Sequence, residues 1–319
     1  MKTITNTLKS KISYNVLLVA VMIVLGIILS ILSPYFFTAD NFRNVLGQAS
    51  TYIFITLGMA FVIASGQIDL SVGAVIGFTG MVVSNLLYVG VPPIPAVLLG
   101  LLVGAGLGAL NGWFVAYLKI NSFIVTICSM SIMRGIIIIV MNSKNNFGFG
   151  PILGFIGAGR IGIINMPILL ALIASLIAAF LLNLTKFGNY SLFLGTNEVA
   201  LNRFGVNTKR YRVAVFAFSG LMAAVSGVIV MGRLDSVMPL AGQGYEMDAI
   251  AAVILGGVLM EGGKGNISGP VIACIILSMI NAGLTLIGIN SNYQSIITGV
   301  IIIASVLISG RDMRKRLEV

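Results

Sequence analysis

The sequence predicts an all-α polytopic membrane protein with about ten transmembrane helices, and three observations carry that expectation. Apolar residues make up 58% of the 319-residue chain and charged ones only 9%, against roughly 25% charged in an ordinary soluble domain. With a mean hydropathy of +1.07, the chain lacks the polar side chains to cover a globule in water. The apolar residues also run continuously for about 20 positions at a time, the length a helix needs to cross roughly 30 Å of hydrocarbon. A transmembrane barrel would show short alternating segments instead.

Ten apolar spans follow in order. The first, 15–33, comes after Lys2, Lys9 and Lys11 and resembles a signal peptide at its start. Its length, and the "SPYFF" that stands where small cleavage-site residues would be, make it a membrane helix. Spans 45–65, 70–90, 94–118 and 121–141 come next, then 167–184 and 213–231 on either side of a polar stretch, 185–212. The eighth, 246–260, is short and glycine-rich, so a full crossing and a re-entrant segment both fit. Spans 267–287 and 293–310 complete the set. Gly100, Gly104 and Gly108 fall four apart on one helix face, which suits close packing inside the bundle or a dimer-forming face.

The net charge of +10 could suggest nucleic acid, but its distribution argues otherwise. Twelve of the 19 basic residues sit at the N-terminus, in 185–212 (Lys186, Arg203, Lys209, Arg210, Arg212) and at the C-terminus (Arg311, Arg314, Lys315, Arg316). Clusters between apolar spans mark the cytoplasmic side. An even number of crossings then leaves both termini and 185–212 inside, with Lys144 and Arg160 as diluted exceptions outside. The whole chain, 1–319, reads as one transmembrane domain; its polar segments are too short to build a core of their own. Any energy source other than an ion gradient must come from another chain. There is no histidine, and Cys128 and Cys274 lie inside apolar runs, so neither a disulfide, a metal site nor a cofactor is expected.

Several polar residues stand out against this background. In 185–212, Asn197 can cap a short helix from Glu198 to Phe204, with Arg203 near its negative end and Gly205 closing it in the left-handed conformation. Such a helix either serves as a docking element or merely eases the chain around a turn. In "SGQIDLSVGAVIG", Asp69 or Ser71 can cap the helix that follows, with Gly66 and Gly73 allowing a tight break and close packing. A second segment, "GYEMDAIAAVILGGVLMEGGKGNISGP", opens on Glu246 and Asp248 and echoes the first, an acid before a small-residue apolar run. Its "GGKG" is not a phosphate loop, since Lys264 precedes Gly265 rather than Ser or Thr. Arg134, deep in the fifth span, can pair with a carboxylate, line a path or snorkel outward. Asn111, Thr126 and Asn281 are candidates for a polar pathway or for helix-packing hydrogen bonds.

Four segments in order carry a family resemblance: "GQIDLSVGAVIG", "NGWFVAYLKINSFIVTICSMSIMRG", the "LGTNEVALNRFGV" stretch and "GYEMDAIAAVILGGVLMEGGKGNISG". Together they resemble the permease subunits of bacterial ABC importers for ribose, xylose and related monosaccharides. Gln67, Asn121-Ser122 and Met247 depart from the family's usual residues. The resemblance implies a type II importer-like bundle in the cytoplasmic membrane, with no catalytic activity of its own. It implies a separate ABC ATPase, coupled through Asn197, Glu198, Ala200, Arg203, Phe204 and Gly205. It further implies an extracytoplasmic sugar-binding protein, a second permease copy or paralogue, and surrounding lipid. Related permeases carry autoinducer-2, furanose sugars or nucleosides. The competing class, an ion-coupled secondary transporter, would use Asp69, Glu246 and Asp248; these lie at expected span ends rather than at mid-depth.

Overall fold

The structure is a computed structural model. It describes residues 2–290 with Tyr293, Ile296, Ile297, Gly299, Val300, Ile301 and Ile303, and side chains from Tyr14 onward. Most of the expected span 293–310, the C-terminal basic cluster and the side chains of Lys2, Lys9 and Lys11 lie outside the described residues. In lipid a backbone must satisfy its own polar groups, and helices do so within one segment. The chain accordingly runs as α1 (Lys2–Leu32), α2 (Ala39–Ala64), α3 (Val72–Tyr88), α4 (Pro93–Tyr117), α5 (Ser122–Val140), α6 (Gly150–Ala158) and α7 (Met166–Leu184). It continues with α8 (Lys186–Arg203), α9 (Thr208–Leu234), α10 (Tyr245–Leu255) and α11 (Ser268–Leu286). Among the described residues, four two-residue strands join at one end of the bundle: β1 (Asn146–Phe147) pairs with β4 (Ser236–Val237), and β2 (Arg160–Ile161) with β3 (Ile164–Asn165).

Local chemistry sets the helix ends. Thr38 Oγ1 accepts from Asn41 N at 3.3 Å to open α2, and Asn207 Oδ1 accepts from Arg210 N at 3.2 Å to open α9. Asn121 Oδ1 accepts from Phe123 N at 2.9 Å, so one residue that departs from the family pattern caps α5.

Helix α2 runs through the middle, buried along nearly its whole length, with α7, α9, α10 and α11 around it. Helices α4 and α9 lie along each other because both carry glycine on the facing side. A Cβ at Gly104 would strike Ala224, one at Gly108 the Phe216 carbonyl, and one at Gly220 the Gly104 carbonyl. The glycine row on α4 therefore packs the bundle within one subunit. On the rim, α1, α5 and α7 turn outward residues such as Ile31, Ile139 and Leu176, a surface suited to lipid.

Among the described residues, seven helices are long and apolar enough to cross a membrane, and α3 is a shorter apolar one. Five of the expected spans match α3, α4, α5, α7 and α11 to within two residues at each end; α1, α2 and α9 begin earlier than expected, at Lys2, Ala39 and Thr208, and α9 also runs on to Leu234. The eighth, open in the sequence between a full crossing and a re-entrant segment, is a short helix. Helix α10 has only 11 residues, about 16 Å or half the hydrocarbon thickness. Gly244 (φ +85°) precedes it and Gly257 (φ +84°) follows it, both in the left-handed region, so the chain turns sharply at each end. The stretch 246–260 is thus not one full crossing.

The loops segregate. One end of the bundle gathers the turns around 65–71, 118–121 and 256–267 together with α8, and carries Lys119, Lys186, Arg203, Lys209, Arg210 and Arg212. The opposite end holds the small strands, and there Tyr88 Oη donates to the Phe147 carbonyl at 3.0 Å.

Candidate functional site

Asp69 lies at the basic end, in the turn between α2 and α3, and is 1% exposed. Gly66 (φ +73°) starts that turn. Asp69 Oδ1 accepts from Ser71 N at 3.0 Å and from Ser71 Oγ at 2.5 Å. Asp69 Oδ2 accepts from Ser219 Oγ of α9 at 2.9 Å. Ser71 Oγ also accepts from Asn111 Nδ2 of α4 at 2.9 Å. The expected helix cap is therefore corrected: Ser71 holds the N-cap position of α3 without a side-chain capping bond, and the reach of Asp69 stops at Ser71 N. The carboxylate instead brackets three helices. Asn111, weighed as a pathway residue, is 1% exposed and forms the outer part of this bracket.

One turn further along, Gly73 and Gly77 open a slot on α3. A Cβ at Gly73 would run into Glu246 Oε2 and the Gly242 carbonyl. A Cβ at Gly77 would stand 3.0 Å from the Ala241 carbonyl and 3.3 Å from Arg134 Nη1. The two segments that echo each other in sequence thus meet in space. Arg134 Nη1 donates to the Ala241 carbonyl at 2.7 Å, and the Glu246 carboxylate attracts the guanidinium across the same slot. Glu246 Oε1 accepts from Gly244 N at 3.2 Å, while its Oε2 is buried with no hydrogen-bond partner among the described residues. Arg134 therefore holds a loop in place from half-buried cover. Gly73→Ala is expected to cost about 1–3 kcal/mol through overpacking, read as a lower unfolding midpoint in detergent; an unchanged midpoint would show that the loop yields freely.

The same contacts place the start of α10. The Tyr245 and Tyr52 rings lie 4.8 Å apart, and Tyr52 is twelve residues from the Ala64 end of α2, about 18 Å along its axis. Glu246 and Asp248 consequently sit halfway along the bundle, not at a span end as expected.

At the basic end, α8 breaks at Asn197 (φ −157°, ψ 84°), whose Oδ1 accepts from Ala200 N at 2.9 Å. A short capped helix follows to Arg203, Phe204 serves as its C-cap, and Gly205 (φ +79°) ends it. The expected motif is present, and a preceding helical stretch from Lys186 joins it. Glu198 Oε2 accepts from Arg212 Nη2 at 2.7 Å, fastening the short helix to α9. Its outer surface shows Val199 at 63% and Phe204 at 85% exposure, beside an exposed Arg203. Behind it lies a groove of about 820 Å³ lined by Gln67, Lys119, Asn121, Glu198, Lys209 and Arg212.

Gly195 seats this unit on the membrane helices. A Cβ there would strike the Ala64 carbonyl and would stand 2.8 Å from Gly262 Cα. Gly262 (φ +81°) and Gly263 (φ +79°) form the turn, and Gly263 N donates to the Ala64 carbonyl at 2.9 Å. The "GGKG" stretch thus packs against backbone on the route from α10 to α11. Sequence reasoning missed Gly195 and Ser219, and it did not foresee what the paired glycines touch. Thr126 is fully buried and bonds back to the Ser122 carbonyl at 2.8 Å, a packing role. Asn281 is 9% exposed on α11. Both cysteines are free; Cys274 Sγ donates to Thr56 Oγ1 at 3.1 Å, and Cys128 is exposed on α5.

A multi-pass apolar bundle, a short helix starting halfway along it and a short capped helix presented at the basic end define a membrane permease. Residues 41–306 match the family described as "Branched-chain amino acid transport system / permease component", and the chain belongs to that family. It is 39% identical over 298 residues to the ribose import permease protein RbsC of Escherichia coli K12, covering 92% of each chain. It is 38% identical over 289 residues to the D-allose transport system permease protein AlsC of the same strain, covering 89% of this chain and 88% of the relative. To the galactose/methyl galactoside import permease protein MglC of Haemophilus influenzae it is 34% identical over 324 residues, covering 95% of each. No solved structure matches. The chain is a transport subunit rather than an enzyme, embedded in the cytoplasmic membrane.

Proposed function

We propose that this chain is the pathway subunit of an ATP-driven importer for a monosaccharide, with its basic end in the cytoplasm. The ATPase docks on the helix Glu198–Arg203, a binding protein delivers solute at the opposite end, and a second copy or a paralogue completes the pathway. The observation that carries this reading is the short helix itself. It is capped by Asn197, tied to α9 by Glu198, and presents Val199, Arg203 and Phe204 outward, surface with no use inside one subunit. The sugar reading is supported by relatives whose names specify ribose, allose and galactose and which match over about nine-tenths of the chain. The half-depth position of Glu246 and Asp248 removes one objection to ion coupling, and the family reading stands against it.

Force on the short helix would pass through Gly195 to the end of α2 and to the turn at Gly262-Gly263, and from there to α10. Alternating access then follows as the two bundles open to one side and the other. Deletion of 197–205, or Glu198→Lys, is expected to leave membrane insertion intact while ATPase co-purification and uptake fall about tenfold or more, the effect of losing a central interface contact. Normal uptake by the deletion variant would overturn the docking assignment, and uptake that survives ATP depletion with the ion gradient held would favour ion coupling.

A further inference from the structure

Polar surface at half depth in a membrane bundle needs a cover, because lipid offers it no hydrogen bonds. The outward side of α7 meets that condition simply: Leu172, Leu176 and Phe180 are exposed and apolar. The start of α10 does not. Gln243 is exposed, Met247 is 46% exposed, and Tyr245 and Asp248 are half-buried. Half-buried Gln48 belongs to the same patch: it lies four residues before Tyr52 on α2, one turn away on the same face, and the Tyr52 ring packs against Tyr245. The level follows from the Tyr52–Tyr245 contact, about 18 Å from the basic end of α2 and well below any headgroup. The Arg134 bond to the Ala241 carbonyl and the slot at Gly73 and Gly77 pin the preceding loop at that depth.

We propose that Gln48, Gln243, Tyr245, Met247 and Asp248 line the aqueous path and contact a hydroxyl-rich solute at half depth. The chemistry fits such a ligand. Amide and carboxylate groups exchange hydrogen bonds with hydroxyls, the Tyr245 ring offers a face to sugar C–H groups, and the unbranched Met247 thioether adapts to different rings. This deepens the importer reading and rests on it, naming a contact surface for the solute.

The test uses the full permease in membranes, in a Cys128→Ala background. Met247→Cys and Gln243→Cys are compared with Leu176→Cys, all treated with a charged, membrane-impermeant methanethiosulfonate. The thiolate is the reacting species, and it forms in water but not in lipid. Met247→Cys and Gln243→Cys are expected to label at least about tenfold faster than Leu176→Cys. Labelling is also expected to block uptake of whichever of D-ribose, D-allose and D-galactose the unlabelled transporter carries. Equal labelling at all three positions would overturn the aqueous surface; fast labelling without any loss of uptake would overturn the solute contact. Labelling needs no ATPase, so fast labelling in a permease that binds no ATPase would fail the importer reading and leave the aqueous surface standing.

Discussion

Asp69→Leu is expected to destabilise the permease by about 3 kcal/mol or more, since each buried polar group left unsatisfied costs about 1–3 kcal/mol. The donors left behind are Ser71 N, Ser71 Oγ and Ser219 Oγ. Leucine fills the space and answers none of them. Asp69→Asn keeps one acceptor for Ser71 and turns an amide toward Ser219 Oγ, whose hydroxyl can rotate to accept. The asparagine variant is therefore expected to lose only about 1 kcal/mol and to retain transport. Unfolding midpoints in detergent, paired with uptake, separate the cases. An asparagine variant as damaged as the leucine one would show that the charge itself is required and that hydrogen bonding alone does not describe the bracket.

Gly195→Val is expected to weaken coupling at least about tenfold. The new Cβ meets backbone on every side, the Ala64 carbonyl, Gly263 N and Gly262 Cα, and no side chain can rotate out of its way. The first part of α8 must lift away from the end of α2, carrying the short helix with it. Uptake is expected to fall at least about tenfold, equivalent to roughly 1.4 kcal/mol lost from a working contact, while insertion and expression persist. Uptake at the original level would show that the short helix acts without being seated on the Gly262-Gly263 turn.

Much of the fold is legible in the sequence because hydrocarbon imposes a single length scale. Apolar runs such as Val16–Leu32 and Met166–Leu184 can do little except cross, while the polar start of α9 at Asn207 falls outside the apolar run that reveals the rest of that helix. The short helix after Asn197 is legible for a related reason: its cap and its left-handed terminator are local chemistry, separated by eight residues. Contacts between distant segments are not local. Asp69 looks like a helix cap until Ser219, 150 residues away, supplies the second hydrogen bond. Glu246 looks like a residue at the membrane surface until the Tyr52 contact shows how far its loop descends. The length of α10 is hidden because Ala251–Leu255 and Val258–Met260 are equally apolar, and only the backbone at Gly256 and Gly257 separates them. The glycines at 73, 77 and 195 mark close approach, but composition does not say to what.

The half-length of α10 also bears on how the chain is made. A segment of eleven residues preceded by a turn-rich loop has too little apolar length to partition into lipid by itself during synthesis. It has to be received rather than inserted: the seat formed by Tyr52, Gly73 and Gly77 must already exist, and α11 must follow to carry the loop down beside α2. The order of biogenesis is thereby written into the fold, with the earlier helices acting as the template on which the last functional element is laid.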